Sequence, residues 1–204
     1  PVTPNLTTLP ALILRSVPGA ISLAILMVIV VAALLVPLLG LPNPSGMNFA
    51  LYQPPSAEHW LGTDNYGRDI FSRVVWGSRV ALMVAFGAAF LSILLGSVLG
   101  AAAGYYGGLI DSLLSRVFDI FLLIPTFFLV LLIVALFGAN LPMTILAIAL
   151  TTWPRSARIM RSQVLTLKSR VYVQAALAAG APNWWVILRH IIPNGIAPII
   201  TDGA

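Results

Sequence analysis

The sequence predicts an all-α polytopic membrane protein, and three observations lead there. Hydrophobic residues make up 59% of the chain and charged residues only 8%, whereas a soluble domain carries about 25% charged residues to solvate its surface. Uncharged apolar runs of membrane-spanning length recur along the sequence. Basic residues gather in one stretch: Arg155, Arg158, Arg161, Lys168, Arg170 and Arg189 occur with no Asp or Glu among them.

A helix needs about 20 mostly apolar residues to cross about 30 Å of hydrocarbon. The first expected span runs from Val17 to about Leu39, follows Arg15, and ends at Pro37 and Gly40-Leu41-Pro42-Asn43-Pro44. It is too long and too proline-flanked for a cleaved signal peptide. The second runs from Val80 to about Ala103 and closes on Gly104-Tyr105-Tyr106-Gly107-Gly108. A third runs from about Val117 to Phe137, where Pro125 removes one backbone hydrogen bond and should kink the helix. The fourth, Leu141 to Trp153, reaches spanning length if its helix continues past Pro154 into the arginine segment, whose long side chains snorkel to the interface. A fifth begins near Ile191. The chain starts at Pro1 rather than Met and stops at Ala204 soon after that last segment opens, so a C-terminally incomplete chain is expected, with about four complete spans plus the start of a fifth.

Lys/Arg bias sets the orientation. With Arg15 cytoplasmic, residues 41–79 lie outside, 104–116 inside, 138–141 outside and 155–190 inside; eight Lys/Arg then fall inside and three (Arg68, Arg73, Arg79) outside. Three regions follow: an N-terminal segment and first span at 1–40, an external segment at 41–79, and a core at 80–204 with a cytoplasmic loop at about 163–194. The external segment holds Glu58, Asp64, Asp69, three arginines and several prolines, too polar for lipid, and should lead through a helix from Asp69 to Gly77 into the second span. The net charge of +5 does not indicate nucleic acid, because the basic stretch is flanked by spans and lacks a reader motif. With no cysteine, disulfides and Cys-ligated zinc are excluded.

Gly96, Gly100 and Gly104 share one helix face, either for close helix packing or as a flexible wall of a translocation path. Asp119 lies one turn from Arg116, which favours a surface ion pair over a proton relay. Gly62-Thr63-Asp64-Asn65-Tyr66-Gly67-Arg68-Asp69 lacks the alternating ligands and distal Glu of a calcium loop; it is expected to form a turn capped by Asp and Asn side chains. In the cytoplasmic loop, Ser169 to Ala179 suits a helix with a small-residue surface (Ala175, Ala176, Ala178, Ala179), ended by a left-handed Gly180. Pro182 suits the first position of a second helix through Trp184, Trp185, Ile187, Leu188 and Ile191, which Pro193-Asn194 should stop. Such a bent pair either lies on the membrane surface or docks a cytoplasmic partner.

No G-x-x-x-x-G-K-[ST] pattern occurs, and Lys168 is the sole lysine, so ATP chemistry would belong to another chain. Neither H-E-x-x-H nor G-x-S-x-G is present; His59 is external and His190 sits in the basic loop. An intramembrane enzyme would need catalytic polar groups inside the spans, and an ion-coupled carrier needs ionisable or unwound sites at mid-bilayer. These spans are nearly free of charge.

Tyr172-Val173-Gln174-Ala175-Ala176, then Gly180, then Arg189-His190-Ile191-Ile192-Pro193-Asn194 resembles the "EAA" loop of ABC-importer permeases. The Gly62–Asp69 stretch followed by Gly77-Ser78-Arg79 is similar to the segment before the second span in dipeptide/oligopeptide/nickel permeases, on the second-permease (DppC/OppC-like) side. Gly104 to Gly108 through Asp111, and Arg116-Val117-Phe118-Asp119 with Pro125, fit the same family, so the resemblance covers nearly the whole chain from about Leu12. It implies a type I importer transmembrane fold in a bacterial or archaeal inner membrane, surrounded by lipid, and in a heterodimer with a second permease subunit. It also implies two ATP-binding subunits that hold ATP and Mg, no cofactor on this chain, and an external substrate-binding protein. Tyr172, Gln174, Ala175, Ala176, Gly180, Pro182, Arg189 and Pro193 would then belong to the coupling loop. The implied cargo is di- or oligopeptide, with nickel as the alternative. One departure stands out: Gln174 occupies the family's Glu position, and a neutral amide cannot form a charge-assisted pair with an ATPase arginine.

Overall fold

The computed structural model describes residues 16–203, and the chain divides into two units, Pro1–Met83 and Val84–Ala204. Arg15, on which the orientation leans, lies outside the described residues.

In the first unit, α1 (Val17–Leu35) passes into a 3₁₀ turn, Val36–Leu38. Pro37 lacks an N–H and cannot continue the α-helical ladder. Leu39 closes the turn with a bond from its N–H to the Val36 carbonyl, and Gly40 follows with φ +61°. Large apolar side chains are exposed around the helix, Val17 and Val28 among them, as on a helix solvated by lipid.

The long helix α2 (Ile70–Tyr106) begins in the first unit and ends in the second. Its start is capped by Asp69, whose Oδ1 accepts the Ser72 N–H at 2.7 Å. A separate helix from Asp69 to Gly77 ahead of the span is therefore not what forms. Gly77 costs a helix only about 1 kcal/mol, and nothing else between Arg73 and Val80 interrupts the ladder. At about 1.5 Å per residue the helix is longer than the hydrocarbon layer is thick. It ends where Gly107 and Gly108 take φ values of +66° and +54°.

The expected single span from Val117 to Phe137 is replaced by two helices, α3 (Gly108–Leu123) and α4 (Thr126–Phe137), bent by 86°. Proline disfavours helical backbone in the residue before it, and Ile124 is accordingly extended, at φ −80° and ψ 123°. Pro125 then opens α4 by accepting the N–H groups of Phe128 and Leu129. The break is complete rather than a kink.

Helix α5 (Leu141–Leu167) is capped by Asn140, which accepts the Met143 N–H at 2.9 Å, and it runs unbroken through Pro154. Beyond it come α6 (Val171–Ala178), α7 (Asn183–Val186), a π-helical turn (Ile187–Ile191), α8 (Ile192–Gly195) and α9 (Ala197–Gly203). Among the described residues, two helices are long and apolar enough to cross a membrane, or three if α3 and α4 count as one span.

Helices α2 and α5 meet along the three glycines. A Cβ built on Gly96 would lie 2.5 Å from Ser156 Cβ, on Gly100 2.3 Å from the Ala157 carbonyl oxygen, and on Gly104 2.8 Å from the Arg161 carbonyl oxygen. No real Cβ tolerates those approaches, so the two backbones are in direct contact. Small residues serve this role in lipid, where helices are drawn together by van der Waals packing rather than by water. Beside the seam, Trp153 packs edge-on against Phe118 and Phe121 at ring separations of 5.5 and 5.4 Å.

Gly77 on the same helix has nothing within 4 Å of an added Cβ. Gly77→Ala should leave thermal unfolding in detergent unchanged or raise its midpoint, by the helix propensity of about 1 kcal/mol. Gly100→Ala should lower it, at an overpacking cost of about 1–3 kcal/mol.

Candidate functional site

The segment after α5 is a small helix pair whose underside is anchored and whose outer face is open. Arg170 starts α6 by accepting the Val173 and Gln174 N–H groups through its carbonyl. The helix ends in a Schellman turn: the Gly180 N–H bonds to the Leu177 carbonyl and the Ala181 N–H to the Ala176 carbonyl. Gly180 has φ +86° with nothing within 4 Å of its missing Cβ, so glycine serves backbone conformation here and not close approach. Pro182 (φ −69°, ψ 146°) is the N-cap of α7 rather than its first helical residue, and its carbonyl accepts the Trp185 and Val186 N–H groups.

Pro193 and Asn194 do not stop the second limb; the break falls at Ile196, between α8 and α9. The turn ahead of Pro193 widens instead into the π-helix Ile187–Ile191. A proline ring clashes with the carbonyl four residues back, and the wider turn relieves that crowding. The Asn194 side chain donates to the His190 carbonyl at 2.6 Å.

Val173, Val186 and Ile191 are fully buried and join Ala101, Met160, Val164 and Ile199 in one cluster. Tyr172, Gln174, Ala175, Ala178, Ala179, Pro182, Trp184 and Arg189 are exposed, and Ala176 is half-buried. Polar bonds tie the pair to the end of α2: Tyr105 donates to Asn183 Oδ1 at 2.8 Å, and Lys168 Nζ to the Gly104 carbonyl at 3.1 Å. Gln174 Nε2 donates to the Lys168 carbonyl at 2.7 Å. A glutamate at this position has no N–H and could not make that bond.

Above the loop, the arginines of α5 are each paired. Arg161 grips Asp111 through two nitrogens, at 2.5 and 2.7 Å. Arg158 bonds Asp119, so the partner of Asp119 is not Arg116: α5 brings a guanidinium across from the neighbouring helix. Arg155 forms an ion pair with Asp202, nitrogen to oxygen at 2.6 Å. Sequence spacing shows none of these cross-helix partners, since 39 residues separate Asp119 from Arg158 and 50 separate Asp111 from Arg161.

In the first unit, residues 62–69 form a capped turn. Asp64 Oδ1 accepts the Tyr66 and Arg68 N–H groups at 2.8 and 3.1 Å, and Oδ2 accepts Arg68 Nε and an Arg73 nitrogen at 2.7 and 2.8 Å. Gly62 and Gly67 take φ values of +73° and +69°, and their missing Cβ atoms would fall 2.3 Å from the Gln53 oxygen and 2.1 Å from the Phe49 oxygen. Thr63 locks the turn to residues 50–53, donating to the Ala50 carbonyl at 2.6 Å and accepting the Gln53 N–H at 2.8 Å. Asp69 Oδ2 meets His59 Nδ1 at 2.8 Å in a buried pair, with Phe49 edge-on to the imidazole. Desolvation raises both carboxyls, but their bonds prevail and hold both below the usual 3.8: Tyr66 and Arg68 act on Asp64, Ser72 and His59 on Asp69.

Long apolar helices, a glycine seam and an anchored helix pair with an exposed outer face define a helical membrane protein. The chain belongs to the family described as "Binding-protein-dependent transport system inner membrane component", whose sequence pattern matches residues 92–204. It is 43% identical over 160 residues to the dipeptide transport system permease protein DppC of Alkalihalophilus pseudofirmus, covering 78% of this chain and 51% of that one. Against the DppC protein of Bacillus subtilis it is 38% identical over 149 residues, 73% of this chain and 47% of the other. The oligopeptide transport system permease protein OppC of Bacillus subtilis is 35% identical over 181 residues, covering 88% and 59%. The chain thus spans about half the length of the curated relatives it matches.

Because the Asp64 and Asp69 carboxyls are more acidic folded than unfolded, their stabilisation is complete above 3.8 and fades as pH falls through the lowered folded values. Hydrogen exchange of residues 62–72, corrected for intrinsic rate, should stay protected at pH 5 and lose protection below 3.8.

Proposed function

We propose that the chain is permease material of an ATP-driven importer of di- or oligopeptides, and that α6 and α7 are the element through which partner ATPases drive it. One observation carries this reading. A helix pair with a small-residue knob at Ala178, Ala179 and Gly180 is exposed outward, while Val173, Val186 and Ile191 bury its other side in the span core. A partner that moves the knob moves the seam beneath it, because packed cores transmit displacement rather than absorb it. Family membership supports the importer class, and the peptide names of the relatives support the cargo.

On this reading residues 41–69 face the binding protein outside and the 168–195 loop faces the ATPases inside, with the other half of the path supplied by a second permease. ATP and Mg reside on the ATPases. Gln174 enters as a neutral amide already engaged with the Lys168 carbonyl. The knob then docks by shape and apolar contact, without a charge-assisted bond from this position.

Gly180→Ile tests the assignment. A β-branched residue at φ +86° is strained by about 1–2 kcal/mol and should distort the knob. ATP-dependent peptide uptake should fall to background while membrane insertion persists; normal uptake in this variant would contradict the coupling role.

A further inference from the structure

Arg73, Trp76, Gly77 and Val80 recur at helical spacing and share one face of α2. Within the first unit, these four line an open pocket of about 290 Å³ together with Ser45 and Arg68, among others. We propose that this pocket seats the headgroup phosphate of an anionic phospholipid.

The pocket lies at the edge of the membrane. Helix α2 is long and apolar enough to span, and its uncharged run begins at Val80, directly after Arg79. From Val80 to Ala103 that run rises about 36 Å, enough for about 30 Å of hydrocarbon. Trp76 and Arg73 precede Val80 by about 6 and 10 Å along the axis, which sets them in the headgroup layer, where indoles gather.

Its charge is not balanced within the chain. Asp64 Oδ2 accepts both Arg68 Nε and Arg73 Nη1, at 2.7 and 2.8 Å, so one carboxylate answers two guanidinium groups. Arg68 is further occupied by the Tyr66 ring, 4.6 Å from its guanidinium carbon. Arg73 is 39% exposed, and no bond among the described residues uses its Nε or Nη2. Trp76 Nε1 is buried with no acceptor among the described residues. The lining is rich in donors and short of an acceptor. A phosphate supplies acceptors and one negative charge, and a guanidinium takes it through a fork.

Gly77 has no conformational or packing role within the chain. It sits inside a helix at a cost of about 1 kcal/mol, without a positive φ and with nothing within 4 Å of an added Cβ. Its bare backbone keeps the pocket open one turn from Arg73, as the close approach of a ligand requires. Along α2 the lining turns from cationic at Arg73 to apolar at Val80. That gradient suits an amphiphile better than a free anion.

The test uses the full-length protein in its assembled transporter, reconstituted in phosphatidylcholine vesicles with a trace of phosphatidylglycerol that carries a photoreactive diazirine beside its phosphate. After illumination and digestion, mass spectrometry counts the label on residues 41–80. Wild type should be labelled there, and excess plain phosphatidylglycerol should remove the label. Gly77→Glu sets a carboxylate one turn from Arg73, in open space, and should lower labelling about tenfold, the worth of one charged hydrogen bond. Gly77→Gln, of the same size without the charge, should label as wild type does. Equal labelling in the two variants, high or low, would show that charge does not govern the site and would overturn the proposal. Loss of the wild-type label to inorganic phosphate at matched ionic strength would assign a soluble anion instead. No label on wild type would mean that another chain covers this face, and either result also overturns the proposal.

Discussion

The backbone contact between α2 and α5 is the constraint on which the second unit depends. Three glycines one turn apart bring the α2 main chain against Ser156, Ala157 and Arg161 at separations that no side chain would permit. Lipid does not squeeze helices together, so the contact must come from close surfaces and dispersion. With the axes held this near, Met160 and Val164 of α5 can be fully buried beside Ala101 of α2, and the loop residues Val173, Val186 and Ile191 fill the same cluster. The helix pair beyond α5 is therefore an extension of the seam rather than a loose connection.

The seam also shapes the electrostatics. Helix α5 carries three arginines where its neighbours are apolar, and each finds a carboxylate on another helix: Asp202 on α9, Asp119 and Asp111 on α3. Lys168 meets the Gly104 carbonyl at the C-terminal end of α2, where a cation also complements the helix dipole. Arg161 and Asp111 are the most covered of the three pairs, and removing one of them would leave a partly buried charge uncompensated. The pairs therefore fix which helices can be neighbours, while the glycines fix how near they come.

Much of this was legible in the sequence, and the exceptions have physical causes. Uncharged runs located α1, most of α2 and the first half of α5, because composition alone decides what lipid tolerates. The Gly180 turn and the Gly62–Asp69 turn were legible because local chemistry sets them. Pro125 was harder. A proline in an apolar run signals either a kink or a full break, and with Ile124 extended ahead of Pro125 the run becomes two helices at 86°. Pro193 misled in the opposite direction, since a π-helical turn carried the chain past it. The partner of Asp119 was out of reach, because spacing along one helix offers Arg116 and the true partner sits on α5. Gln174 reads as a weakened glutamate in sequence; its bond to the Lys168 carbonyl shows a donor role that no carboxylate can fill.

The central claim is that the α6–α7 knob is the surface the ATPases engage. The chain has no cysteine, so a single introduced thiol is the only labelling site on it. Ala179→Cys, on the exposed knob, and Ala139→Cys, in the exposed turn between α4 and α5, can each be labelled with a maleimide that carries a benzophenone, which on illumination inserts into C–H bonds of whatever protein lies beside it in the assembled transporter. The account predicts a cross-link from position 179 to an ATP-binding subunit and none from position 139. A cross-link from 139 with none from 179 would contradict it.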